Sequence, residues 1–151
     1  MIRVIAVGKK HESWIKEGVE RYEKRLRKPF DVEWIFLPHS SREGLQARQE
    51  ESGRILARLS RDEFVILLDE QGELLDSPTV ATKLSKLLQA WPRAVIVIGG
   101  AYGVDEGVHQ RANVVWSLSP LVFPHQLVRL ILVEQLYRAQ EIAAGGPYHH
   151  L

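Results

Sequence analysis

The chain of 151 residues contains no cysteine. Disulfides, thiolate nucleophiles and cysteine-ligated metals are therefore excluded. No apolar run approaches the roughly 18 residues that a membrane span requires. The opening, MIRVIAVGKK, is too short and too alternating for a secretory leader. Two familiar nucleotide loops are missing as well. No GxGxxG occurs, and no Lys-Ser or Lys-Thr pair follows a glycine-rich turn. Internal repeats, low-complexity tracts and linkers are also lacking. What remains is one domain, residues 1–151, with 45% hydrophobic and 26% charged residues, values ordinary for a soluble, cytoplasmic protein with a sizeable core.

Net charge is scarce too, at +1, but it is unevenly spread. Residues 1–61 carry 14 Lys+Arg against 9 Asp+Glu, a net of +5, and residues 62–151 carry 6 against 10, a net of −4. A basic half is either a solvated face or a surface that attracts a polyanion such as RNA.

Hydrophobic periodicity predicts alternating strands and helices. Ile2 to Gly8 reads as a short buried strand. Trp14, Ile15, Val19, Tyr22 and Leu26 follow at helical spacing. Asp31 to Pro38 is a second strand, and Ser41 to Leu59 a loop leading into a helix. EFVILLDEQGE is a third strand, with Gly72 in the turn after it. Ser77 then reads as an N-cap with Pro78 in the first helical position. RAVIVIGG is a fourth strand, DEGVHQRA a short helix, NVVWSLS a fifth strand, and His125 onwards a long final helix. This alternation argues for an α/β fold with a largely parallel sheet and flanking helices. Ligands in such sheets bind beyond the carboxyl ends of the strands. Three ends stand out: Leu68-Asp69, Ile98-Gly99-Gly100 and Leu118-Ser119.

The chemistry concentrates at those ends. Gly99 and Gly100 bare the main chain, either for a ligand or for a tight turn; Gly103 suits a turn. The loop Ser119-Pro120-Leu121-Val122-Phe123-Pro124 is long and apolar, which suits the lining of a pocket for a flat heterocycle or a plug for the core. The last helix is apolar on nearly every face, so a second subunit is expected to cover part of it. Glu134 and Arg138 are spaced for an ion pair, and Arg129 lies one turn from the apolar loop. His11, His39 and His109 are expected at the surface. His125 either approaches the pocket or caps the helix. Tyr148, His149 and His150 form a tail beyond Gly145 and Gly146, which read as a flexible joint. Two histidines without carboxylates are poor evidence for a metal, and none is called for.

Taken together, LLDEQGE, VIVIGGAYGVDE, SLSPLVFPHQLVRLILVEQLYRAQEI and PYHH resemble the RlmH family of SPOUT-class methyltransferases over the whole length of the chain. The resemblance implies transfer of a methyl group from S-adenosyl-L-methionine to N3 of a pseudouridine in the large-subunit ribosomal RNA. It implies a C-terminal trefoil knot and a homodimer acting on the ribosome. It places cofactor contacts on Leu68, Gly100, Ser119, Pro120, Leu121, Val122, Phe123 and Pro124. For the chemistry, His149 is the favoured base and His125 the second. Tyr148 would stack on the target base, and Arg129 or Arg138 would stabilise charge on it. The chain departs from the family at His150, where Lys or Arg is usual, so a permanent charge is replaced by one that titrates near neutrality. Two rival readings are a non-catalytic RNA-binding module and an α/β enzyme using another nucleotide.

Overall fold

A computed structural model describes residues 1–149; His150 and Leu151 lie outside the described residues, and with them the reading of His150. The elements run β1 (Ile2–Val7), α1 (Ser13–Glu23), β2 (Val32–Leu37), α2 (Gly44–Ala57), β3 (Glu63–Leu74), α3 (Ser77–Ala90), β4 (Arg93–Ile98), α4 (Glu106–Arg111), β5 (Val114–Ser117) and α5 (His125–Ala143). The five strands form one parallel sheet in the order β2-β1-β4-β3-β5. This is the expected α/β architecture.

Alternation along each strand sends side chains to two cores. Ile2, Val4 and Ala6 of β1 join Ile66, Ile96, Ile98 and Trp116 beneath α3 and α5, where Val80, Leu84, Leu132 and Leu136 close the layer. Ile5 and Val7 join Val65, Leu67, Val95 and Val97 on the other face, against Ile55 of α2 and Val108 of α4. Helix α1 packs on α5 through Ile15, Val19 and Val133 and meets the sheet at Trp34 of β2. Strands covered on both faces must be apolar throughout, which explains the uninterrupted runs FVILL and AVIVI. No helix among the described residues is long and apolar enough to cross a membrane.

Three expectations shift. The N-cap of α3 is Asp76, whose carboxylate accepts from Thr79 N at 2.9 Å. Ser77 is instead the first helical residue, and its hydroxyl donates to Gln135 on α5 at 2.8 Å. Gly72 does not end β3 at a turn. The strand bulges after Leu68, which opposes Trp116, and resumes with Glu73 opposite the same Trp116. At Gly72 itself the chain presses against β5: a Cβ would lie 2.8 Å from the Val115 carbonyl carbon and oxygen. Finally, Gly145 and Gly146 are not a free joint. Gly145 takes a positive φ of 73°, and both amides return to the last turn of α5, at Ile142 O and Glu141 O.

Candidate active site

The ends of β3 and β4 and the segment after β5 converge on one open cleft with a cavity volume of about 260 Å³. Leu68 comes from β3, Gly99, Gly100 and Ala101 from the turn after β4, and Ser119, Leu121, Val122 and Phe123 from the loop before α5. Six of the eight residues expected to hold a cofactor thus line one space. Pro120 and Pro124 bracket the loop without lining the cleft. Its apolar walls are completed by Ile98, Leu118 and Val128. Leu121 and Val122 are 68% and 78% exposed, so the loop presents free apolar surface at the mouth.

The glycines answer to two different constraints. Gly103 takes φ 76°, and its amide donates to Gly100 O at 3.0 Å, closing a tight turn that needs a left-handed residue. Gly100 is buried and turns its backbone to the cleft. The direction a side chain would take leads away from it: a Cβ would lie 3.1 Å from Glu51 Cδ and 3.2 Å from Val7 Cγ1. A bulky residue at position 100 therefore strikes α2 and β1 first, and does not report on the cleft alone.

Of the residues expected to do chemistry, only His125 lines the cleft. Its pKa is lowered, first by burial and then by Arg129 and His39, with Glu51 opposing, so its imidazole is neutral near pH 7. Arg129 is 1% exposed and sits behind that wall. It donates to Lys9 O at 2.8 Å and lies over the Phe36 ring at 5.1 Å, while its Nε has no partner.

The other candidates assemble elsewhere. Arg138 Nε donates to Glu134 at 3.0 Å, so the expected ion pair forms and raises the Arg138 pKa. Tyr148 packs edge-on against Tyr137 at 4.8 Å, under the Arg138 guanidinium, with its hydroxyl 3.3 Å from Glu134. His149 Nδ1 lies 2.9 Å from Arg138 Nη1. A guanidinium can only donate, so Nδ1 accepts and the imidazole carries its proton on Nε2. Arg138 lies thirteen residues beyond His125 on α5, about 20 Å at the rise of an α-helix.

Three polar groups escaped the sequence reading. His11 is half-buried rather than free at the surface: it packs edge-on against Trp34 and Phe36 at 4.5 and 5.1 Å, and its pKa falls to about 4 through burial and the charge of Arg129. Glu51 is 3% exposed within a stretch of α2, RQEESGR, that reads as wholly polar. Glu70 lines the cleft beside Asp69. His39 is exposed as expected, and His109 is half-buried near Asp69, at 3.7 Å.

The strand ends of a parallel sheet and an apolar loop thus build one cleft in an α/β fold, and comparison supplies the class. Residues 1–149 match the family model described as "Predicted SPOUT methyltransferase", and the chain belongs to that family. It is 36% identical over 152 residues to the ribosomal RNA large subunit methyltransferase H of Francisella philomiragia, covering 98% of each chain. It is 39% identical over 156 residues to the protein of that name from Acetivibrio thermocellus, again covering 98% of each. Against the one from Prochlorococcus marinus it is 41% identical over 147 residues, covering 97% of this chain and 94% of the relative.

Proposed function

We propose that this protein is a ribosomal RNA methyltransferase that uses S-adenosyl-L-methionine and methylates N3 of a pseudouridine in the large-subunit RNA, as a homodimer acting on the ribosome. The observation that carries the reading is the convergence of Leu68, Gly100 and the Ser119–Phe123 loop on one cleft, in a chain of the SPOUT family. The rival RNA-binding module has no use for such a cleft. The basic residues Arg21, Lys24, Arg25, Arg27 and Lys28, all exposed on α1 and the turn after it, suit a polyanionic substrate.

The residues fit the cofactor. Leu68, Leu118 and Val128 offer apolar faces to a heterocycle. The main chain of Gly100 and of Ser119 to Phe123 offers donors and acceptors to its edges, and Pro120 and Pro124 hold the loop in shape. When bound, S-adenosylmethionine supplies an electrophilic methyl group. The protein positions the acceptor for in-line attack and removes its imide proton.

Two histidines are candidates for the base. His125 sits in the cleft as a neutral imidazole, its pKa lowered first by burial and then by the charge of buried Arg129. His149 must first leave Arg138, which occupies its lone pair. Because the tail cluster lies about 20 Å along α5 from the cleft, we assign Tyr148, His149 and Arg138 to the cleft of the second copy. There Tyr148 stacks on the base, His149 takes its proton and Arg138 faces the carbonyl charge.

The test separates cofactor from chemistry. A chain ending at Gly146 is expected to bind S-adenosylmethionine like wild type in calorimetry, yet transfer at least 100-fold less tritiated methyl to unmodified ribosomes, the range typical of losing a general base. Full transfer by the truncated chain would leave His125 as the base. Absence of cofactor binding by the wild type would sink the reading.

A further inference from the structure

The charged side chains that line the cleft are acidic. Among the residues that line it there is no lysine or arginine, but Asp69 and Glu70 stand together on one wall. Asp69 is only 25% exposed at its side chain. Its Oδ1 accepts from Gln71 N at 2.9 Å, and Oδ2 points to His109 at 3.7 Å. Behind the floor lies a third carboxylate. Glu51 is 3% exposed; one oxygen accepts from Ser40 N at 3.0 Å and lies 3.8 Å from His39, and the other is buried without a partner against Gly100. The titratable group opposite, His125, is held neutral. Arg129, the cation nearest to it in effect, is buried outside the lining and engaged with Lys9 O. An unpaired carboxylate oxygen set against the floor of a cleft with an acidic wall is an unbalanced arrangement, and a cation in the cleft balances it.

We infer that Asp69 and Glu70, backed by Glu51, make this a charge-selective cleft that holds a sulfonium in preference to the neutral thioether formed when its methyl group leaves. The inference rests on the cofactor reading and deepens it. In the transfer, the S–CH₃ bond breaks, an N–CH₃ bond forms, and the acceptor's proton passes to a base. The cofactor thereby loses one positive charge. A cleft tuned to that charge binds the substrate form and releases the spent form, so the carboxylates act on product release as well as on loading. In a protein whose N-terminal half is basic, the acids also keep the nucleic acid backbone out of the cofactor's space.

The experiment is calorimetry on the full-length chain with S-adenosylmethionine and with S-adenosylhomocysteine, at low and at moderate salt. Asp69→Asn keeps an oxygen for the Gln71 amide, and Glu70→Gln keeps the shape of the wall. The wild type is expected to prefer the sulfonium, more so at low salt. The double variant is expected to lose about three- to tenfold of that preference, the size of a partly screened charge interaction, through weaker binding of the sulfonium alone. Equal weakening of both ligands, or an unchanged ratio, overturns the charge selectivity and leaves the cofactor reading in place. A wild type that binds neither ligand removes the cofactor reading and this inference together.

Discussion

His11 shows how a single side chain links packing to pH. Its ring is wedged between Trp34 and Phe36 and faces Arg129, and both burial and that charge oppose protonation, bringing its pKa to about 4. In the unfolded chain a histidine takes up its proton near pH 6.5. Between those values the unfolded state binds the extra proton, so acidification favours unfolding, and stability rises with pH until the unfolded histidine is neutral. The ring keeps partial exposure, so screening reduces the effect to about 1 kcal/mol. Urea melts at pH 6.5 and pH 5 are expected to differ by about that much more for wild type than for His11→Asn, above the range where carboxylates titrate. An equal pH dependence in the two proteins would mean that His11 is protonated in the fold.

At the scale of elements, the bulge of β3 over β5 is the feature on which the site depends. β5 has only four residues, yet it pairs with β3 both before and after the bulge. Gly72 lets the two backbones touch, and a methyl group there would meet three backbone atoms of Val115 and Trp116 within 2.9 Å. Backbone cannot step aside as a side chain can. Gly72→Ala is therefore expected to cost about 3 kcal/mol by overpacking, and to loosen the Ser117–Leu118 end that leads into the cleft loop. Thermal melting checks the first effect, and cofactor calorimetry on the folded fraction checks the second. The strands and helices themselves were legible from period and composition. FVILL and AVIVI are apolar because both faces are covered, and, Gly72 apart, the glycine and proline punctuation fell at real boundaries. What escaped depends on partners distant in sequence. Gly72 reads as a turn glycine until β5 is laid against it. Glu51 reads as a solvated acid until α2 is folded behind Gly100. His11 reads as polar because its neighbours in sequence are polar, while its neighbours in space are aromatic. Even the helix cap moved by one residue, since Asp76 and Ser77 are equally good caps and only the tie from Ser77 to Gln135 on α5 decides between them.

The whole molecule poses a geometric problem that one chain does not solve as folded. The cleft lies at the start of α5, and the cluster of Arg138, Tyr148 and His149 lies thirteen residues further along it, about 20 Å away. Reacting groups must come within about 3.5 Å of each other. If the tail supplies the chemistry as proposed, either it leaves its place on α5, breaking the contacts of Tyr148 with Glu134 and Tyr137 and of His149 with Arg138, or a second copy brings its own tail to the cleft. The second course fits α5 itself, whose Leu127, Leu130 and Ile131 remain only partly covered within one chain. A mixing experiment decides between them. One variant carries an intact tail and a blocked cleft, with Ser119 and Val122 replaced by tryptophan; the other has an intact cleft and ends at Gly146. Neither alone is expected to transfer methyl groups. After co-expression, random pairing makes half of the dimers mixed, and each mixed dimer holds one complete site out of two, so activity is expected to recover to roughly a quarter of wild type in a symmetric dimer. If each chain served itself with its own tail, the mixture would stay as inactive as its parts. Light scattering on the same samples reports whether dimers have formed, so a silent mixture of confirmed dimers counts against the shared site and not against the assembly.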